Sequence, residues 1–178
     1  MKRRSVELAR LDTAVYAAIA QTPTPSLDRA MRRLSRAADH SKLWLGSAAL
    51  LAACGGAPGR RAARNGLASV ALTSVVVNAL LKPLSDRRRP DRVRYKVPAD
   101  RQVRMPQSRS FPSGHAASAF AFASGVATAL PQAGIPLTGL AAVVAYSRVH
   151  TGVHYPGDVI AGSVAGAALA PIAVAALD

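Results

Sequence analysis

Residues 65–90 read NGLASVALTSVVVNALL-KPLSDRRRP, seventeen uncharged positions followed at once by Lys82, Asp86 and three arginines. A run of this kind sits near the lower end of the roughly 17–25 apolar residues that cross a hydrocarbon core as a helix. Cations gathered at its end are what a membrane surface tolerates and a bilayer interior does not. Working outward, 43–59 and 159–177 are also free of charge, and 110–147 carries no Asp, Glu, Lys or Arg. PQAGIP at 131–136 reads as a helix–helix turn that divides this last stretch into helices of about 114–130 and 135–147. The pattern predicts an all-α integral membrane bundle of about five spans.

Composition agrees once position is considered. The chain has 178 residues, 50% hydrophobic, with 23 Lys+Arg against 9 Asp+Glu and a net charge of +14. A disordered basic tail would lack that apolar content. A disulfide scaffold would need more than the single Cys54. A pI near 11.5 suits a nucleic-acid binder, but such a binder does not confine its cations between long apolar runs. The partners expected are therefore membrane lipids and a lipid-borne substrate, with no nucleic acid.

No cleavable leader is expected at the N-terminus. Residues 5–21 place Val6, Leu8, Leu11, Val15 and Ile19 among Glu7, Arg10 and Asp12, the pattern of an amphipathic helix lying in the interface. After the TPTPS turn at 22–26, a second basic amphipathic helix is expected at 27–38, with Leu27, Met31 and Leu34 on one face. The chain thus divides into interfacial helices at 1–42 and a membrane-embedded domain at 43–178.

Three clusters at span ends carry chemistry. The first is Lys82 with Arg89-Pro90; the second is Pro112-Ser113-Gly114-His115; the third is Ser147-Arg148, His154 and Asp158. In a five-span topology all three fall on one side of the membrane. Lys82, Arg89 and Arg148 can surround a phosphoryl group, arginine in bidentate fashion and lysine as a point charge. Ser113 and Gly114 open a helix, whose first amides and dipole favour an anion. His154 and Asp158 are four apart; on a shared helical face the carboxylate would hold one ring nitrogen and free the other to attack. His115 can then protonate the departing alkoxide. No carboxylate cluster suited to Mg²⁺ accompanies them, so neither metal nor cofactor is expected.

These clusters, K-x6-RP, PSGH and SR-x5-H-x3-D, resemble the tripartite signature of the type 2 phosphatidic acid phosphatase superfamily without substitution. The resemblance covers 82–158 by motif and 43–178 by topology. It implies an α-helical, metal-independent phosphatase working through a phosphohistidine. His154 would be the nucleophile, Asp158 its orienting partner and His115 the acid. Lys82, Arg89, Ser113, Gly114 and Arg148 would bind phosphate.

The N-terminal segment, the 82–109 loop and Arg148 hold 20 Lys/Arg, against Arg60, Arg61 and Arg64 in a loop on the other side. The positive-inside rule then predicts a cytoplasmic-facing site. In size, topology and composition the chain is similar to family members that remove a 5-phosphate from a polyprenyl-linked ribose. Phosphatidic acid, phosphatidylglycerophosphate and polyprenyl pyrophosphate are the alternative substrates.

Several residues are expected to serve other purposes. Trp44, Tyr146 and Tyr155 read as interfacial anchors, as does His40, and Cys54 as a small buried residue. His150 reads as packing or headgroup contact. Arg87, Arg88, Arg92, Arg94, Arg101 and Arg104 read as solvated or headgroup-facing, with Asp86 and Asp91 as local charge partners. Gly162 and Gly166 form a GxxxG pattern that suits close internal packing or a homo-oligomer.

Overall fold

The computed structural model describes residues 2–177, and these contain helices and loops but no strand. Seven α-helices follow in order: α1 Lys2–Gln21, α2 Pro25–Ala37, α3 Lys42–Cys54, α4 Gly56–Val75, α5 Gly114–Ala127, α6 Pro131–His150 and α7 Pro156–Ala175. A π-helical turn, Val76–Leu81, continues α4 to Lys82. Such turns occur mostly as local insertions near functional sites.

Among the described residues, two helices combine the length and hydropathy to cross a bilayer, Gly56–Leu81 and Pro156–Ala175. The expected boundaries shift elsewhere. The run at 43–59 is broken because the chain reverses at Gly55, so α3 has 13 residues and a length of about 20 Å. α4 begins at Gly56, which puts the exposed Arg60, Arg61 and Arg64 on its first turns rather than in a loop. α6 begins at Pro131 and accommodates Pro136 in its first turns, where few backbone bonds are lost, so PQAGIP opens a helix instead of separating two.

α5 is the central helix, packed on α4, α6 and α7. Its residues Ala116, Ala117, Ala119, Ala121 and Ala123 are fully buried. Small side chains let neighbouring backbones approach, which is how helices pack where lipid removes the hydrophobic drive. The GxxxG pair serves this packing: a Cβ on Gly162 would lie 2.4 Å from the Ser113 carbonyl oxygen, and one on Gly166 would lie 2.1 Å from that of Ala117.

Large apolar side chains line the outside as well as the core, and several polar ones are buried. Leu45, Leu50, Leu80, Ile160, Val164 and Ile172 are exposed, while Asn65, Ser69, Thr73, Arg148, His154 and Asp158 are buried. Trp44, expected at the interface, is 1% exposed and packs on Phe122, with ring centroids 5.5 Å apart. Cys54, expected inside, is exposed at the end of α3.

The N-terminal helices dock on the end of the bundle that carries the motifs. α2 packs on α6, and α1 touches α6 and α7. A buried charge network holds them. Arg101 pairs with Asp28 at 3.0 Å and donates to the Ile19 and Thr22 carbonyls at 2.9 Å each. His150 Nε2 meets the same Asp28 at 2.8 Å. Arg92 donates to the carbonyls of Thr151, Gly152 and Val103. Arg92 and Arg101 therefore hold the loops together rather than facing solvent or headgroups. Folding the loop over α2 gives these guanidiniums backbone acceptors that a sequence pattern does not display.

Candidate active site

The third cluster is assembled by a turn. α6 ends at His150, and Gly152 takes a left-handed φ of 74°. That turn points the amides of Val153 and His154 back at the Arg148 carbonyl, at 3.1 and 3.2 Å. Five intervening residues thus bring His154 beside Arg148. Pro156 and Gly157 then start α7, leaving Asp158 at its third position. The His154–Asp158 contact consequently does not come from a shared helical face, as the spacing suggested. It comes from a loop residue folding over a helix N-terminus, because Pro156 starts the helix two residues after His154.

Asp158 is fully buried and ties several elements together. Its Oδ2 lies 3.4 Å from His154 Nδ1 and accepts the Ser110 hydroxyl and the Tyr155 amide. Its Oδ1 pairs with Arg87 at 2.9 Å. Arg87 in turn bonds Asp12 of α1, which accepts the Gly157 amide at 2.7 Å. Arg87 is therefore a support of the carboxylate, not the solvated arginine expected. Arg88, Arg94 and Arg104 are exposed as expected.

With Asp158 on Nδ1, the proton is assigned there and the Nε2 lone pair is left facing Arg89. Burial pushes His154 down to about 3, against the opposing hydrogen bond that it donates to Asp158, with Arg89 and Arg148 adding to the depression. The imidazole is thus neutral at physiological pH. Arg89 Nη1 lies 3.1 Å from Nε2, and the same guanidinium donates to the carbonyls of Val153, Ser108 and Arg109. This places a rigid cation beside the nitrogen that would attack.

Lys82 and Arg148 come from α4's end and from α6. Burial lowers Lys82, and Arg89 and Arg148 lower it further, so three cations share one weakly solvated region. Lys82 Nζ donates to Asn78 Oδ1 at 3.0 Å. A Cβ at Gly114 would sit 3.4 Å from Nζ, so the glycine leaves room between the lysine and the start of α5. Ser113 caps α5 and donates its amide to the Asp158 carbonyl at 2.9 Å, which joins the second cluster to the third. All eight residues singled out in the sequence therefore converge at one end of the bundle.

One contact at the site has no counterpart in the motifs. His115 Nε2 lies 2.9 Å from Asp39 Oδ1, and that carboxylate is 3.8 Å from Arg148 Nη1. The His115 hydrogen bond, more than any other influence, holds Asp39 below the usual carboxylate range. Ser35 also bonds Arg148. Asp39, Ser35, Ser110, Asp12 and Arg87 escaped sequence reasoning. Asp39 stands 76 residues from His115 and carries no local signature. Among the described residues, no group of three or more His, Cys, Asp or Glu side chains could hold a metal ion.

A helical bundle with small-residue packing, outward apolar side chains and a buried cation–histidine cluster at one end defines a membrane phosphatase class. The chain belongs to the PAP2 superfamily, whose model matches residues 63–178. It is 36% identical over 92% of its length to the decaprenylphosphoryl-5-phosphoribose phosphatase of Mycobacterium tuberculosis, covering 89% of that protein. A shorter match, 41% identical over 33% of this chain and 24% of the relative, is to a lipid A 1-phosphatase of Rhizobium johnstonii. Among solved structures, a PAP2-type phosphatidylglycerolphosphate phosphatase of Bacillus subtilis superposes with a TM-score of 0.70 at 25% identity, covering 97% of this chain and 86% of that one. Aquifex aeolicus LpxE shares the fold with a TM-score of 0.72, covering 93% and 95%. The protein is a membrane-type lipid phosphatase of this superfamily.

Proposed function

We propose that this protein removes the terminal phosphate of a lipid-linked phosphomonoester, with decaprenylphosphoryl-5-phosphoribose, a precursor for cell-wall arabinan, as the substrate. The single observation that carries this reading is the 36% identity to the mycobacterial enzyme, which extends over 92% of the chain, more than residues 43–178 alone can supply.

In the proposed mechanism, Lys82, Arg89, Arg148 and the first turn of α5 hold the phosphoryl oxygens. His154 Nε2 attacks phosphorus as the bond to the leaving oxygen breaks. His115 gives its proton to that oxygen, with Asp39 fixing the ring. Water then attacks the phosphohistidine, His115 takes its proton, and inorganic phosphate leaves. Asp158 keeps Nδ1 protonated throughout. The cations supply the positive charge, so no metal or cofactor is required.

Residues 43–178 form the catalytic domain in this reading. Residues 1–42 lie in the interface and reach the site through Asp39. α3 to α7 act as five membrane segments, with the site on the cytoplasmic side. The support is charge asymmetry: the N-terminal segment alone has nine Lys/Arg against the three on the first turns of α4. The glycine pair is occupied within the chain, so it offers no support for a homo-oligomer.

The test is phosphate release from a panel of sugar-linked lipid phosphate, phosphatidic acid, phosphatidylglycerophosphate and polyprenyl pyrophosphate, with His154→Ala as control. Full turnover by His154→Ala refutes the mechanism, and loss of turnover in chelator refutes metal independence. For sidedness, Arg94→Cys is placed in a Cys54→Ala background, because the native thiol is itself exposed. Labelling of that cysteine from outside intact cells refutes the cytoplasmic assignment.

A further inference from the structure

Beside His115 lies a cavity of about 200 Å³ that opens past Lys82 and Gly114. Its walls are polar, although α4 is one of the two helices apolar enough to cross a bilayer. Ser74, Asn78 and Lys82 follow one another at intervals of four along α4 and its π turn, and Ser118 faces them from α5. Polar side chains placed at membrane depth on one stripe mark a substrate path. The third wall is the turn that carries His40 and Ser41.

That turn is held in an unusual shape. His40 and Ser41 are consecutive and both left-handed, with φ of 55° and 58°. Non-glycine residues rarely adopt this region, and such residues cluster at ligand clamps. Asp39, the preceding residue, pins the turn to His115 and Arg148. The strained pair thereby lines the same cavity as His115.

We infer that this cavity is the leaving-group subsite and that it takes a hydroxylated ring, a pentose, in preference to an alkyl chain. The inference rests on the phosphatase reading given above. Ser74, Asn78 and Ser118 can exchange hydrogen bonds with ring hydroxyls, and His40 and Ser41 close over the ring. Asn78 is already bonded to Lys82 and the Ser74 carbonyl, but an alkyl leaving group would leave the Ser74 and Ser118 hydroxyls without the partners a ring supplies, and sites built for hydroxyls discriminate strongly on that basis. A lipid whose phosphate is esterified directly to an apolar alcohol is accordingly disfavoured.

The test uses the full chain in lipid nanodiscs and two synthetic substrates with the same polyprenyl phosphate tail. One carries its terminal phosphate on the 5-carbon of ribose, the other on a five-carbon alkyl spacer. Wild type is expected to prefer the sugar by tenfold or more in kcat/KM. Ser74→Ala/Ser118→Ala is expected to reduce that preference to threefold or less, chiefly by raising KM for the sugar. His40→Gly/Ser41→Gly, which keeps the left-handed backbone and removes the side chains, should do the same and guards against misfolding of the first variant. Equal wild-type activity on both substrates, or undiminished preference in either folded double variant, overturns the inference and leaves the phosphatase reading intact. No activity on either substrate overturns both.

Discussion

Replacing Asp39 with Asn tests the reach of the N-terminal segment into the chemistry. The substitution keeps size and a hydrogen-bonding group but removes the charge facing His115 Nε2 at 2.9 Å. Hydrogen bonds to charged groups contribute about 1.5–3 kcal/mol. Asp39's side chain is 42% exposed, so solvent screening reduces the figure to about 1–1.5 kcal/mol. At 1.36 kcal/mol per decade, that is about a five- to thirteenfold fall in kcat. The fall should depend on the leaving group. A sugar or alkyl phosphate needs its oxygen protonated and should show the whole loss. p-Nitrophenyl phosphate, whose phenolate leaves without help, should lose less than about twofold because acid catalysis contributes little there. The same charge lies 3.8 Å from Arg148, where it competes with an incoming anion. Its removal should therefore leave KM unchanged or lower it, a pattern distinct from loss of binding. The assay is steady-state kinetics on the two substrates in one detergent. Equal losses on both, or a rise in KM with unchanged kcat, would show that Asp39 neither positions the acid nor crowds the anion site.

Three further outcomes follow from particular contacts. His154, pushed down to about 3, has its nucleophilic neutral form populated above that pH, so an imidazole ¹⁵N titration should show no protonation between pH 5 and 8; a midpoint near 6.5 refutes the buried, Asp158-bound geometry. Arg101→Ala strands Asp28 and His150 in a buried site and should lower stability by about 3–5 kcal/mol, read by thermal unfolding in detergent. An unchanged midpoint would mean that the network does not anchor α1 and α2. Gly166→Val places a side chain where even a Cβ lies 2.1 Å from the Ala117 carbonyl. It should destabilise the bundle by at least about 1–3 kcal/mol with phosphatase activity falling in parallel, and a protein of normal stability contradicts the α5–α7 packing.

Charge distribution along the chain was enough to indicate an all-helical membrane protein. Long runs without charge survive only where water does not reach, and the cations between them mark the surfaces. The three local clusters at the ends of those runs offered eight candidate residues, to which the family resemblance assigns phosphate binding and acid–base work. Covalent spacing is local information, and those three motifs are local patterns.

What escaped was decided by contacts distant in sequence. Arg87, Arg92 and Arg101 look like their solvated neighbours until the loop folds and gives them carboxylates and carbonyls. Trp44 reads as an interfacial anchor until Phe122 of the central helix covers it. The GxxxG pair was equally suited to an internal or an external partner, and only the position of Ala117 and Ser113 on α5 chose between them. Asp39 carries no motif, and its meaning depends wholly on α2 docking against α6 to set a carboxylate on His115. The sequence by itself indicated an all-helical chain with apolar runs and picked out the candidate residues, since hydropathy and spacing are properties of a linear chain. Only the tertiary structure decided which charges support the site, which face water and what surrounds the acid, since burial and a 3 Å contact exist only after distant segments meet.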